Sequence, residues 1–162
     1  MPIATLLNTY SLPMQADSQS CTNLQDFLVN PNSYIIIDLS NQLIGNNGLI
    51  ALSDALWRNS TLIELNLENN GIGYSGIKYL LSWFLYNNKS LKSLNLANNC
   101  LGCKEITKLL GDGSLARTAI TKLDLSYNYG IYDEGERIKM RTILENSGKA
   151  RTALAFWEAT TD

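Results

Sequence analysis

Apolar residues recur along this chain in a compound rhythm. In the stretch from Thr61 to Leu80, TLIELNLENNGIGYSGIKYL, leucines stand at i, i+3 and i+5 (Leu62, Leu65, Leu67). An asparagine follows at Asn70, and the segment then passes Ile72, Gly73 and Gly76 into an apolar stripe of helical spacing. Alternation at the leucines predicts a short strand with one face buried. The stripe that follows predicts an amphipathic helix. The same order of residues returns as SLKSLNLANNCLG from Ser90 and AITKLDLSYN from Ala119, and more loosely as SYIIIDLSNQLIGNNG from Ser33. Marked by the residue before each L-x-L step, the copies fall at Ile37, Leu65, Leu94 and Leu123, 28, 29 and 29 residues apart. A near-constant period in the range of roughly 20 to 50 residues announces a solenoid.

These copies resemble leucine-rich repeats, and the 28/29 alternation with a full helix after I-G-x-x-G is similar to the ribonuclease-inhibitor type. The resemblance covers roughly Ser33 to Glu145. It implies an α/β leucine-rich repeat solenoid, or horseshoe, with parallel strands on the concave face and helices on the convex face. The chain then reads as a single domain over 1–162. Residues 1–32 form an N-terminal cap or degenerate repeat, 33–60, 61–89, 90–118 and 119–147 the repeats, and 148–162 a C-terminal cap. In such a repeat the leucines of the strand point into the core and the residues between them point outward. Asn70, Asn99 and Asn128 then form a structural column, because an amide both donates and accepts and so satisfies the backbone groups that successive turns would otherwise bury unpaired.

Several local expectations follow. Leu24, Phe27 and Leu28 share one helical face in Cys21 to Asn30, which ends in the helix stop Asn-Pro. Gln42 replaces the repeat asparagine and weakens the first turn. Gly45, Gly73 and Gly102 suit an unusual backbone angle or a close approach, and Gly48 and Gly76 open helices whose inner faces are Leu49, Leu52, Leu56 and Ile77, Leu80, Leu81, Phe84. Asn59 and Asn88 stop those helices as left-handed caps. Both also match N-x-[ST], and in a chain with no signal sequence they read as caps rather than glycan sites. In the third repeat Glu105 replaces the glycine, and Gly111-Asp112-Gly113 cuts the helix short. The fourth departs from the N-x-[IL]-G order at Asn128-Tyr129-Gly130-Ile131, so it carries an inserted residue. Its helix, Gly135 to Glu145, turns Ile138, Ile143 and Leu144 inward. Leu154, Phe156 and Trp157 then fold over the last repeat, as an open end requires. Trp57, Trp83, Phe84 and Tyr86 are assigned mostly to packing.

Composition narrows the class. At 162 residues, 45% hydrophobic and 17% charged, the chain has material for one well-buried core and no second domain. A net charge of −2 lacks the concentrated basic field of a generic nucleic-acid or membrane binder. The charge is uneven, because the first 57 residues sum to −4 and the remainder to +2. No apolar run reaches the length of a membrane span, the N-terminus does not resemble a secretory signal, and three cysteines fit a reducing compartment. The expected location is cytoplasmic, with delivery into a host cell by a machine that needs no cleaved signal equally compatible.

The chemistry of catalysis is missing. There is no histidine, which removes the usual nucleophile activation and His-containing zinc sites. Cys100-Leu101-Gly102-Cys103 is a C-x-x-C, but Leu101 and Gly102 are the repeat's own I-G step and only Cys21 remains to complete a metal set. No phosphate-cradling glycine motif is present. The reading is a non-enzyme with no cofactor and no metal.

Function is therefore sought on the strand residues that point outward. In register they form three columns: Ile36, Glu64, Ser93, Lys122; Asp38, Asn66, Asn95, Asp124; and Ser40, Glu68, Ala97, Ser126. The middle column makes a ladder of hydrogen-bond acceptors, which a merely solvated sheet face would also show. The candidate protein-binding residues are Asp38, Glu64, Asn66, Glu68, Asn95, Lys122 and Asp124, joined by Tyr127 and Tyr129 from the loop cluster that includes Tyr132, with Tyr74 at a comparable loop. The expected activity is protein–protein interaction with a basic or donor-rich partner protein, without nucleic acid or membrane, as a monomer or a weak oligomer paired through sheet edges. A small free-standing set of such repeats looks like the effectors that intracellular bacteria deliver into host cells. The alternatives are a regulator similar to the activators of Ran-type GTPases, and a cytoskeletal cap resembling the C-terminal domain of tropomodulins.

Overall fold

A computed structural model of the chain describes residues 20–21, 33–111, 117–129, 135, 138–139 and 142. Five short strands form one parallel sheet: β1 (Ser20–Cys21), β2 (Ile36–Asp38), β3 (Glu64–Asn66), β4 (Ser93–Asn95) and β5 (Lys122–Asp124). Their order in the sheet is their order in the chain. Between them run the helices α1 (Gly45–Leu56), α2 (Tyr74–Leu80), which continues into a π-helical turn at Leu81–Leu85, and α3 (Cys103–Gly111).

The register follows from the hydrophobic pattern. Ile37, Leu65, Leu94 and Leu123 stand opposite one another across β2 to β5. Each of these four strands buries its middle residue and leaves the two flanking residues exposed or half-exposed. A one-residue slip would turn every leucine to solvent, so the pairing is strongly specified. Parallel neighbours joined in sequence by right-handed crossovers carry their helices on one face of the sheet. The other face is open, as the burial pattern requires. Leu65 and Leu94 from the strands and Leu62, Leu67, Leu91 and Leu96 beside them pack with Leu49, Leu52, Leu56, Ile77, Leu80 and Phe84 from the helices in one continuous core.

The change of period from 28 to 29 has a visible cause. Gly45 to Asn59 spans 14 steps and Gly73 to Asn88 spans 15, so the second unit holds one extra residue between equivalent ends. The π-helical turn at Leu81–Leu85 lies inside that interval. A π turn takes in one residue more than an α turn, which keeps Phe84 buried and Asn88 beside Asn59.

Some local expectations need correction. Cys21, expected to begin a helix, lies in β1, where it pairs with Ile37 only 16 positions ahead rather than 28 or 29. The rest of the Cys21 to Asn30 segment, the insertion after Tyr129 and the C-terminal cap over 148–162 lie outside the described residues. Gly45 has φ +59°, but Gly73 is extended at φ −111°, and the second left-handed glycine is Gly71 at φ +66°. Gly48 and Gly76 do not open their helices, which start at Gly45 and Tyr74. Gly76 is there for space, because a Cβ would stand 2.8 Å from Asn46 Oδ1 and 3.1 Å from Asn46 Cα. Asn46 fills that space for a reason: its Oδ1 accepts from Gly73 N at 2.8 Å and Gly76 N at 3.0 Å, so a residue of α1 satisfies the start of α2.

Asn59 and Asn88 are not left-handed caps. Both are buried, and neither has positive φ. Asn59 Oδ1 accepts from Thr61 N (3.2 Å) and Leu62 N (2.9 Å), and Asn88 Oδ1 from Ser90 N (3.0 Å) and Leu91 N (2.8 Å). They form the turn that leads into each strand. The left-handed residues are Asn41, Asn69, Asn98 and Tyr127, the position before each repeat asparagine or Gln42, together with Leu43.

Candidate functional site

The turn after each strand is held by the repeat asparagines. Asn70 Nδ2 donates to Leu39 O at 2.8 Å, one repeat back, and its Oδ1 accepts from Gln42 N (2.9 Å) and Ile44 N (3.2 Å). Asn99 does the same one repeat later, donating to Leu67 O (2.9 Å) and accepting from Asn70 N (3.1 Å) and Ile72 N (2.9 Å). Asn128 donates to Leu96 O (2.9 Å) and accepts from Leu101 N (3.0 Å). All three side chains are buried. Among the described residues the Gln42 amide donates to Ser40 O, in its own turn. This ladder makes a stiff rim for the open face of the sheet.

On that face the outward residues are brought together as columns. Ile36, Glu64, Ser93 and Lys122 are register partners, and so are Asp38, Asn66, Asn95 and Asp124. Together they line a shallow depression of about 280 Å³ floored by Ile37, Leu65 and Leu94. Three carboxylates, Asp38, Glu64 and Asp124, meet one ammonium, Lys122, around it. Glu68 lies beside the depression rather than in its lining, with Asn95 Nδ2 donating to its Oε2 at 3.2 Å.

The middle column has a second use that its pattern does not disclose. Asp38 Oδ1 accepts from Ser40 N at 2.9 Å, Asn66 Oδ1 from Glu68 N at 3.0 Å, Asn95 Oδ1 from Ala97 N at 2.9 Å and Asp124 Oδ1 from Ser126 N at 2.9 Å. Each residue closes an Asx turn with the chain two positions on. One oxygen per side chain is thus committed to the fold: Asp38 and Asp124 keep a second carboxylate oxygen, whereas Asn66 and Asn95 keep only amide donors, and that of Asn95 is given to Glu68 Oε2. The signal in the sequence was the residue type itself, since Asp and Asn are the side chains that make this turn.

The tyrosines are not gathered at the depression. Tyr127 and Tyr129 stand on the rim beyond β5, 62% and 66% exposed. Tyr132 lies outside the described residues. Tyr74 is not a rim residue: it opens α2, packs half-buried against the core and lies under Lys108 Nζ, 5.7 Å from the ring centroid. Leu43, unremarked in the pattern, is 78% exposed on the same rim as Tyr127, at φ +52°. On the opposite edge Trp57 and Tyr86, assigned to packing by their helical positions, are 44% and 51% exposed, whereas Phe84 is buried as expected. Ile138 is exposed rather than inward. The Cys100 thiol is free and exposed. Among the described residues no group of three or more potential ligands is placed to hold a metal ion, and no helix is long and apolar enough to cross a membrane.

Comparison with known proteins agrees with this architecture. The chain matches the Leucine Rich repeat family over residues 58–81 and 87–102. Among solved structures it is similar to Leiomodin-1 Actin-Binding Site 2 (ABS2), with a TM-score of 0.57 and 21% identity over 76% of this chain and 69% of that one. At that identity the likeness is one of fold. No curated protein sequence matches the chain.

Proposed function

We propose that this chain, which carries leucine-rich repeats, is a non-catalytic binding module that captures a partner protein on the open face of its sheet. The observation behind this reading is the depression in which Asp38, Glu64, Asn66, Asn95, Lys122 and Asp124 meet across β2 to β5. Leucine-rich repeats generally mediate protein–protein interaction, and in the ribonuclease-inhibitor type, which the 28- and 29-residue spacing resembles, this face is the concave side of a horseshoe. Three carboxylates against one ammonium favour a partner that presents Arg, Lys or amide donors. Glu68, Tyr127 and Tyr129 extend the surface along the rim. The remaining parts of the proposal are a monomer or a weak oligomer paired through sheet edges, a cytoplasmic location and a bacterial effector role acting on a host protein.

The experiment is affinity capture from eukaryotic lysate with wild type and with Glu64→Arg/Glu68→Arg, to which Asp38→Asn and Asp124→Asn are added. Asparagine keeps the Asx-turn acceptor, so the charge is removed without loss of the turn. A partner bound by wild type and lost by the folded variant supports the open face as the site. Equal capture by both sinks it. A second reading, a cytoskeletal cap, is favoured by the fold shared with Leiomodin-1 Actin-Binding Site 2. Actin co-sedimentation tests it, and an exchange or hydrolysis assay with a Ran-type GTPase tests a regulator.

A further inference from the structure

The edge of the molecule where the helices end and the strands begin has a composition unlike the open face. Trp57 and Tyr86 occupy equivalent positions in adjacent repeats, each two residues before the asparagine that leads into its strand, and both are substantially exposed. Those asparagines touch, Asn88 Nδ2 donating to Asn59 O at 2.8 Å, so the two aromatic positions belong to one continuous edge. Arg58, Lys89, Lys92 and Arg117 follow along it, all exposed.

Two of these cations, Lys89 and Lys92, are held by backbone carbonyls. Lys89 Nζ donates to Tyr86 O at 3.0 Å and to Arg117 O at 3.4 Å, and lies 6.0 Å from the centre of the Tyr86 ring. Lys92 Nζ donates to Lys89 O at 3.1 Å. Backbone carbonyls thus orient both ammonium groups, and each ammonium keeps at least one further donor. None of Arg58, Lys89, Lys92 and Arg117 forms an ion pair among the described residues. Among the described residues, Asp54 accepts from Tyr79 OH at 2.8 Å, and Glu64 lines the depression on the open face.

We infer that this edge is a second docking surface, distinct from the open face of the sheet, and that its occupant is an acidic, extended segment of a partner protein. Held cations supply the complementary charge. The two aromatic side chains supply rigid apolar area with few rotamers to freeze, as interface anchors do. The inference is independent of the open-face reading and predicts a partner with opposite charges at the two sites.

The test uses the full chain and a fluorescein-labelled peptide of repeated Glu-Glu-Leu triplets, read by fluorescence anisotropy. The wild-type chain is expected to bind it saturably, more weakly as salt rises. Trp57→Ser/Tyr86→Ser and Lys89→Glu/Lys92→Glu should each weaken binding about ten-fold or more, whereas Lys89→Arg/Lys92→Arg and Glu64→Arg/Glu68→Arg should retain it. Circular dichroism establishes that each variant is folded, and if the aromatic pair does not fold, the charge-reversal pair decides. The inference is overturned if the acidic peptide does not bind, if the charge-reversal variant binds it as wild type does, if the Lys-Lys-Leu counterpart binds equally well, or if single-stranded oligothymidine binds more tightly. The last outcome would assign the edge to nucleic acid.

Discussion

Asn99 accepts two hydrogen bonds from the turn that Asn70 occupies, from Asn70 N at 3.1 Å and Ile72 N at 2.9 Å, while its own amide donates back to Leu67 O at 2.9 Å. One buried side chain therefore serves both a donor and an acceptor need of its neighbour. Asn99→Ala should leave those backbone groups unsatisfied, and each buried unmade bond costs about 1 to 3 kcal/mol. Urea denaturation is expected to show a loss of about 3 kcal/mol or more. Gln42→Ala should cost less, since the bond its amide makes among the described residues is to Ser40 O, in its own turn.

Tyr127 holds a conformation that suits the asparagines at the equivalent places, Asn41, Asn69 and Asn98, with φ +56° against +59°, +53° and +52°. A left-handed backbone costs an L-residue with a bulky side chain roughly 1 to 2 kcal/mol, and Asn less. Tyr127→Asn should raise the unfolding midpoint. If the exposed ring contacts the partner, the same variant should weaken capture, so stability and binding move in opposite directions.

Gly76 faces Asn46 across the α1–α2 interface, where a Cβ would meet the backbone Cα at 3.1 Å and an Oδ1 at 2.8 Å that two hydrogen bonds hold in place. Gly76→Ala therefore has to push the two helices apart, even though alanine is the better helix former. Overpacking of this kind costs typically about 1 to 3 kcal/mol. A thermal melt in which Gly76→Ala is as stable as wild type would contradict the close approach.

Tyr79 OH donates to Asp54 Oδ1 at 2.8 Å. That hydrogen bond, then desolvation and then the Asp54 charge, raise the Tyr79 pKa above its ordinary value. The folded chain then holds this proton at pH values where the unfolded chain has begun to release it. The stabilisation is fully present below the unfolded-state value of about 10 and is lost as pH rises through the raised folded value. Tyr79→Phe should remove this alkaline loss. Urea titrations of the two proteins across that range, compared as a difference, provide the check.

The residues differ in how legible they were. The leucines announced strand, helix and register together, because a side chain that must be buried on one face leaves a periodic trace and the period is constant. The exposure of Trp57 and Tyr86 left no such trace, since helical spacing places a residue on a face without saying whether a neighbour covers it. The sequence suggests left-handed geometry at Asn59 and Asn88, but the chain adopts it at Asn41, Asn69 and Asn98, because asparagine suits both a left-handed turn and a side-chain-to-backbone bond.

What the amino-acid order determined by itself is the parallel sheet and its alignment: with leucines at alternating positions and copies 28 or 29 residues apart, only one pairing buries every leucine. What tertiary structure decided is the work of the polar residues. Asn70 finds its acceptor at Leu39, Asn46 its donors at Gly73 and Gly76, and Asn88 its acceptor at Asn59. Hydrophobic burial is a property a residue carries with it, so its pattern can be read along the chain. A hydrogen bond exists only between two groups, and here the second group lies a whole repeat away.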